Sequence, residues 1–271
     1  MNVLLDPAAR LVIAHRGNSA FFPENTLESF EQAVALGVDA LECDVRVSSD
    51  GKAVVMHDPT LDRTTNGTGP VGALTLDELQ RLDGGFCFTR DGGRTFPFRG
   101  RGIRIPAFEL VLSAFANVPM IVEVKTRDAS AEVRRLIERS GATGRVVVGA
   151  FDDAAIAPFR GTAIAHSASR RELIRLFGRA LLPGSPPHMP YQALAIPPRS
   201  RGVPLPVQRF ARMARHAGAT THVWTVDNPA QAYRYWAGAV NGIITNDPAA
   251  ILASAGRANT ARTSPSLSPV A

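Results

Sequence analysis

Apolar residues in this chain fall into short runs, and longer stretches with helical spacing lie between them. The runs are LVIA at 11–14, ALECDVRV at 40–47, AVVMH at 53–57, MIVEVK at 120–125 and VVVGA at 146–150. They continue with TAIAH at 162–166, QALAI at 192–196, THVWTV at 221–226 and GIIT at 242–245. Short Val/Ile-rich runs bounded by Gly, Pro and Asn read as strands. The first intervening helix sets Leu27, Phe30, Ala33, Val34 and Leu36 at helical spacing, with Asn25 as its expected N-cap and Gly37 as its stop. Comparable patterns predict helices over 107–116, 129–141, 153–159, 170–182, 206–218 and 229–239. Asp247-Pro248 opens a last helix as cap and first residue.

One connection departs from this alternation. Only Ser48, Ser49, Asp50 and Gly51 separate the second run from the third, which is enough for a hairpin and too short for a parallel crossover. AVVMH is therefore expected to return antiparallel, with Val47 opposite Lys52 and Glu42 opposite His57. The other eight strands alternate with helical segments, which predicts an α/β fold, a TIM (β/α)8 barrel, with one extra antiparallel strand after strand 2. Residues 1–256 are expected to form a single barrel domain. Within it, residues 60–104 read as an insertion over the C-terminal mouth. Thr75 and Glu78 mark a capping box there, and Phe86, Phe88, Phe96 and Phe98 are expected to pin the insertion down. Residues 257–271 are small, polar and Pro-containing, and are expected to be a disordered tail.

Composition narrows the function classes. The formal net charge is +6, and only Lys52 and Lys125 among the 30 basic residues are lysine. The charge is spread without a dense block, which argues against a nucleic-acid partner and suits a small anionic substrate. Cys43 and Cys87 fit neither a metal spacing nor a disulfide framework, and Cys43 is expected to face the helices as a small hydrophobe. No apolar run approaches a membrane span, so stable membrane insertion is not expected and a cytoplasmic location is.

The polar exceptions sit at strand ends: His15, the pair Glu42 and Asp44, His57, and the pair Glu123 and Lys125. Residues i and i+2 share one strand face, so each pair points one way. Asp is poor in strands, and a charge aimed into a core costs several kcal/mol unless it is paired or bound to metal. In a barrel of this kind the C-terminal strand ends carry the chemistry. Three carboxylates without a thiolate favour a hard divalent cation, Mg²⁺ or Ca²⁺. His166, His188, His216 and His222 read as structural, with His222 deeper in its strand than Trp224.

The segments HRGNSAFFPENTLESF, ECDVRVSSDGKAVVMHDPTLDRTTNGTG and IVEVK, in this order, resemble the glycerophosphodiester phosphodiesterases. HVWTVDNP and GIITNDP continue the resemblance more loosely. It implies metal ligation by Glu42, Asp44 and Glu123, general acid/base work by His15 and His57, and phosphate contacts by Arg16 and Lys125. It also implies that Trp224 lies near the alcohol group, with Glu24 and Asn25 in support and Glu24 orienting His15 or Arg16. The implied reaction is metal-dependent hydrolysis of glycerophosphodiesters to glycerol 3-phosphate and an alcohol. The alternative is a lysophospholipase D-like hydrolase on the same scaffold, which needs apolar surface at the mouth. The Gly- and Arg-rich insertion instead points to deacylated substrates. A non-catalytic phosphodiester-binding protein would not need both histidines and all three acids, and the HxH pair of metal amidohydrolases is missing at HRG. One departure stands out. Asn246 follows GIIT where many family members carry Asp, and it is expected to touch only the last helix cap.

Overall fold

In a computed structural model, which describes residues 2–180 and 189–257, the strand and helix patterns alternate as expected. The strands are β1 (Leu11–His15), β2 (Ala40–Val47), β3 (Ala53–Val55), β4 (Met120–Val124), β5 (Val146–Gly149) and β6 (Ala165–His166). They continue with β7 (Ala193–Ile196), β8 (Arg199–Ser200), β9 (Val203–Pro204), β10 (Thr220–Val223) and β11 (Gly242–Thr245). The helices are α1 (Leu27–Ala35), α2 (Leu76–Leu79), α3 (Phe108–Ala114), α4 (Arg127–Arg139) and α5 (Asp153–Ile156), then α6 (Arg170–Ala180), α7 (Val207–His216), α8 (Pro229–Trp236) and α9 (Pro248–Ser254).

Eight strands pair in parallel in the order β6-β5-β4-β2-β1-β11-β10-β7. The two ends meet through a parallel bridge between Ser167 and Ala193, where the Ala168 N–H donates to the Ala193 carbonyl at 2.9 Å. The result is the expected TIM barrel. Strand alternation divides its core into an inner and an outer layer. On β2, Leu41, Cys43 and Val45 face outward into the layer beneath α1, α3 and α4, together with Phe30, Phe108 and Val133. Cys43 is a buried member of that layer, as its alternation with the acids implies. Leu11, Ile13, Ala40, Ile121, Val147, Ala193 and Ile244 fill the interior, and Leu4 from a one-turn 3₁₀ segment (Val3–Leu5) closes its lower end. A fully buried Ile or Leu contributes about 2 kcal/mol through area removed from water. The lower half of the barrel is therefore a packed apolar plug. The charged side chains gather above it, where the same inward-facing positions become Glu42, Asp44, Glu123 and Lys125.

His222 lies in the lower region, fully buried, with Nε2 3.1 Å from the Leu4 carbonyl oxygen. Burial pushes its pKa down to about 4. Gly242 on the neighbouring strand makes room for the ring, since a Cβ there would meet His222 Nδ1 at 2.3 Å. His166 is also buried, and His216 is exposed at the end of α7. His188 lies outside the described residues.

Three local expectations are revised. The hairpin register is one residue off, because Val47 pairs with Ala53, Arg46 with Val54 and Val45 with Val55. Ser48 explains the slip, since its N–H donates to the Lys52 carbonyl at 2.9 Å and draws Lys52 into the loop. His57 is thus past the strand, with its carbonyl held by Arg46 Nη2 at 2.6 Å. Second, Thr26 and not Asn25 caps α1, its hydroxyl accepting from the Ser29 N–H. Third, the small antiparallel hairpin β8–β9 was not anticipated. The capping box at Thr75 and Glu78 forms as read. Of the expected tail, Arg257 is described and forks onto Asp39, with contacts of 2.7 and 2.8 Å. The remainder lies outside the described residues.

Candidate active site

The acids meet because three neighbouring strands are in matching register. His15 on β1 lies level with Glu42 on β2, and Asp44 lies level with Glu123 on β4. One carboxylate oxygen from each of Glu42, Asp44 and Glu123 falls within 4.8 Å of the others. Asp44 is fully buried and Glu42 nearly so.

Their electrostatics differ in a way that the contacts explain. Burial opposes the Asp44 carboxylate, but Lys125 Nζ at 2.8 Å and Arg16 Nε at 3.1 Å outweigh it and leave its pKa lowered. Glu42 has the backbone N–H of Arg16 at 3.0 Å and His15 Nε2 at 3.9 Å, and burial followed by the Asp44 charge raises it well above the usual range. Glu123 touches Lys125 Nζ at 2.7 Å and is still raised, first by burial. Like charges this close cannot all ionise without a cation. The donor set is all oxygen and carries more negative charge than Lys125 and Arg16 offset, which fits a hard divalent ion.

Both histidines are held by Nδ1. His15 Nδ1 lies 2.7 Å from Asn246 Oδ1, and His57 Nδ1 lies 2.6 Å from Asp58 Oδ1. Burial, then the charge of Arg16, lowers the His15 pKa. The bond from Arg63, then that to His57, holds Asp58 well below the usual carboxylate range. Arg63 also forks onto Glu24, with both contacts at 2.7 Å, and Glu24 in turn accepts from Arg16 Nη1 at 2.8 Å. One chain of ion pairs thus links His57 to the acid cluster and ties the start of the 60–104 segment to the barrel mouth. Glu24 orients Arg16 and not His15.

Arg16 occupies the left-handed region at φ 57°, and a Cβ on the following Gly17 would strike Ser29. This tight turn presents Arg16 to Asp44 and Glu24 together. A non-glycine residue in that region marks backbone held by its surroundings, as functional sites often do. Asn25 is in the same region, at φ 59°, and its side chain reaches Asp44.

His15, Arg16, Glu42, His57, Glu123, Lys125 and Trp224 line one cleft. Apolar residues line it as well: Ile121, Ala195, Ile244 and Phe151, whose ring meets Trp224 edge-on at 5.8 Å between centroids. The cleft runs into a second groove through Phe151, Arg170 and Leu173, continuing past Ile174, Phe177 and Phe210. Phe151 and Ile174 are 49% and 62% exposed. Apolar surface at the mouth is therefore supplied by the loop after β5 and by α6, and not by the insertion. The insertion's rings are engaged, Phe98 with Phe22 and Phe88 at 5.3 Å each, and Arg99 over both Phe86 and Phe96.

The structure thus brings His15, Arg16, Glu42, Asp44, His57, Glu123, Lys125 and Trp224 to one end of the barrel, with Glu24 and Asn25 beside them. The sequence reading missed Asp58, Arg63, Asp227, Phe151 and Arg170, and it misjudged Asn246, which contacts His15 besides preceding the α9 cap. Asp58 had a visible signal, a carboxylate directly after a histidine in a polar loop. Arg63 and Asp227 had none, because their partners are distant in sequence.

The chain is similar to known proteins over most of its length. Residues 15–250 match the model of the glycerophosphoryl diester phosphodiesterase family. A glycerophosphodiester phosphodiesterase of Caldanaerobacter subterraneus is 30% identical, over 89% of this chain and 96% of that protein. The solved glycerophosphoryl diester phosphodiesterase domain of a Mycobacterium tuberculosis protein superposes with a TM-score of 0.79 at 24% identity, covering 92% of this chain and 99% of that one. An Oleispira antarctica phosphodiesterase, solved with its product sn-glycerol-3-phosphate, has a TM-score of 0.74 at 22% identity, covering 91% and 96%.

Proposed function

This chain belongs to the glycerophosphoryl diester phosphodiesterase family and is an enzyme of that activity, and from that premise we propose how its residues carry the reaction. The substrate is a glycerophosphodiester, and the products are glycerol 3-phosphate and a free alcohol. Glu42, Asp44 and Glu123 hold one divalent cation, Mg²⁺ or Ca²⁺. That ion, when bound, neutralises phosphate charge and acidifies a substrate hydroxyl. The observation that carries the reading is the convergence of three carboxylates beside two histidines that are each fixed at Nδ1.

Each histidine then has Nε2 left for proton transfer. One takes the proton of the substrate's glycerol 2-hydroxyl as that oxygen attacks phosphorus. The other protonates the departing alcohol oxygen. The resulting cyclic phosphate is opened by water with the two roles reversed. Arg16 and Lys125 contribute fixed positive charge beside the phosphate while also holding Asp44 ionised. Trp224 offers its face to the glycerol carbons.

A second reading, lysophospholipase D-like cleavage, is favoured by one feature, the apolar groove that continues from the cleft along α6. Its residues could take an acyl chain attached to the glycerol.

The test is release of glycerol 3-phosphate from glycerophosphocholine with EDTA and metal add-back. Turnover should vanish with chelation, return with Mg²⁺ or Ca²⁺, and fail to return in Glu42→Gln, Asp44→Asn and Glu123→Gln. Full turnover in all three variants, with unchanged metal affinity, would remove the assignment.

A further inference from the structure

Asn246 and Asp227 form a two-residue lock on His15. Asp227 follows β10 and accepts three hydrogen bonds from the end of β11. The Thr245 hydroxyl reaches Oδ1 at 2.9 Å, the Asn246 backbone N–H reaches Oδ1 at 2.8 Å, and Asn246 Nδ2 reaches Oδ2 at 2.9 Å. A carboxylate only accepts. The amide of Asn246 must therefore turn its NH₂ group to Asp227, because the flipped amide would set two acceptor oxygens against each other. With Nδ2 committed, Oδ1 faces His15 Nδ1 at 2.7 Å. An amide oxygen has no proton, so His15 must donate from Nδ1. Neutral His15 then carries its lone pair on Nε2, the nitrogen on the acid-cluster side, 3.9 Å from Glu42 Oε2. The Ser19 hydroxyl, 3.0 Å from Asn246 Oδ1 and 2.8 Å from the His15 carbonyl oxygen, braces the same corner.

We propose that Asn246 and Asp227 are positioning residues that fix the tautomer and ring orientation of His15, with direction set by the acceptor-only carboxylate of Asp227. His57 is held by a carboxylate directly, through Asp58. His15 receives the same service at one remove, through a neutral amide. The proposal rests on the catalytic reading of His15 for its effect on rate. Its structural half, the tautomer, stands independently of that reading.

The direction of the lock is what a variant can reverse. In Asp227→Asn the new amide keeps its oxygen for the Thr245 hydroxyl and the residue-246 N–H, which leaves its NH₂ facing Asn246, so Asn246 turns its oxygen to that group and presents Nδ2 to the ring. The exchanged pair, Asn246→Asp with Asp227→Asn, restores an acceptor-only group beside His15 and a donor behind it. The new amide at position 227 would still accept from the Thr245 hydroxyl and the residue-246 N–H through its own oxygen.

The experiment combines long-range ¹H–¹⁵N spectra of the histidine rings with steady-state kinetics on glycerophosphocholine, on variants whose thermal unfolding matches the wild type. Wild-type His15 should show the Nδ1–H tautomer in its neutral form. Asp227→Asn should shift His15 towards the Nε2–H tautomer and Asn246→Ala should show mixed tautomers, and each should lose about ten- to hundred-fold in kcat, the scale known for losing a partner that orients a metal-ligating side chain, with KM nearly constant. The exchanged pair should recover the Nδ1–H signature and most of the kcat. An Nε2–H tautomer in the wild type would overturn the lock, as would an Nδ1–H signature unchanged in both single variants. Correct tautomer shifts without any change in kcat would retain the lock and remove instead the catalytic reading of His15.

Discussion

Asn25 and Asp44 hold each other by two hydrogen bonds: Asn25 Nδ2 donates to Asp44 Oδ2 at 2.9 Å, and the Asp44 N–H returns to Asn25 Oδ1 at 3.3 Å. The pair joins the loop before α1 to the middle of β2. It aims one Asp44 oxygen at Arg16 and Asn25 and leaves the other to Lys125 and the acid cluster.

Loss of that reciprocal pair should be felt at the cation site. Asn25→Gly keeps the left-handed backbone without strain, so it removes the side chain alone. It should weaken Mg²⁺ or Ca²⁺ binding by about ten- to hundred-fold, as loss of a group orienting a ligand commonly does. Titration calorimetry checks this, and an unchanged affinity would show that Asp44 is held well enough by Lys125 and Arg16.

Substrate size can be decided at α6. If the groove takes an acyl chain, Ile174→Asp should lower kcat/KM for lysophosphatidylcholine and leave glycerophosphocholine unaffected. Ile174 is exposed and away from the acids, so the variant should fold normally. Lysophosphatidylcholine kinetics untouched by the change would show that the groove does not hold the chain, and little or no turnover of that substrate by the wild type would confine the enzyme to deacylated substrates, as the composition of the insertion suggested.

Stability should fall with acid through His222. Its pKa is about 4 in the folded protein, against 6.5 for an ordinary histidine. Above pH 6.5 both folded and unfolded forms are neutral there, and its contribution is complete. Below that, the unfolded chain binds the proton first, so stability is lost as pH falls towards 4, by about 3 kcal/mol in all. His222→Leu removes the titration, and the Leu4 carbonyl keeps the Thr220 hydroxyl at 2.9 Å. Denaturant unfolding at pH 7 and pH 4.5 should show a smaller loss in the variant. An equal loss in both proteins would place the acid sensitivity elsewhere.

These residues also show what sequence alone could and could not reveal. The barrel was legible because each β/α unit is a local pattern. The acids were legible because Asp44 and Glu123 stand where a strand should be apolar. The cap of α1 was misread because Asn25 and Thr26 are both good caps and a partner 19 residues away decides between them. The hairpin register turned on one loop hydrogen bond from Ser48. The lock on His15 was invisible because Asn246 is 231 residues away from it. The groove was hidden for another reason: Leu173, Ile174 and Phe177 have ordinary helical spacing, and only the assembled barrel shows which of them remain uncovered.

The central claim, a histidine pair working beside a separate cation site, is tested most directly by His15→Ala and His57→Ala, with turnover and metal affinity measured on the same samples. Each variant should lose about a hundred- to ten-thousand-fold in kcat, the range for removing a general acid or base, while binding metal as the wild type does. The double variant should be far less than multiplicatively worse, because the two act as a unit. A variant that lost its metal affinity yet turned over normally at saturating metal would make that histidine a ligand and contradict the account.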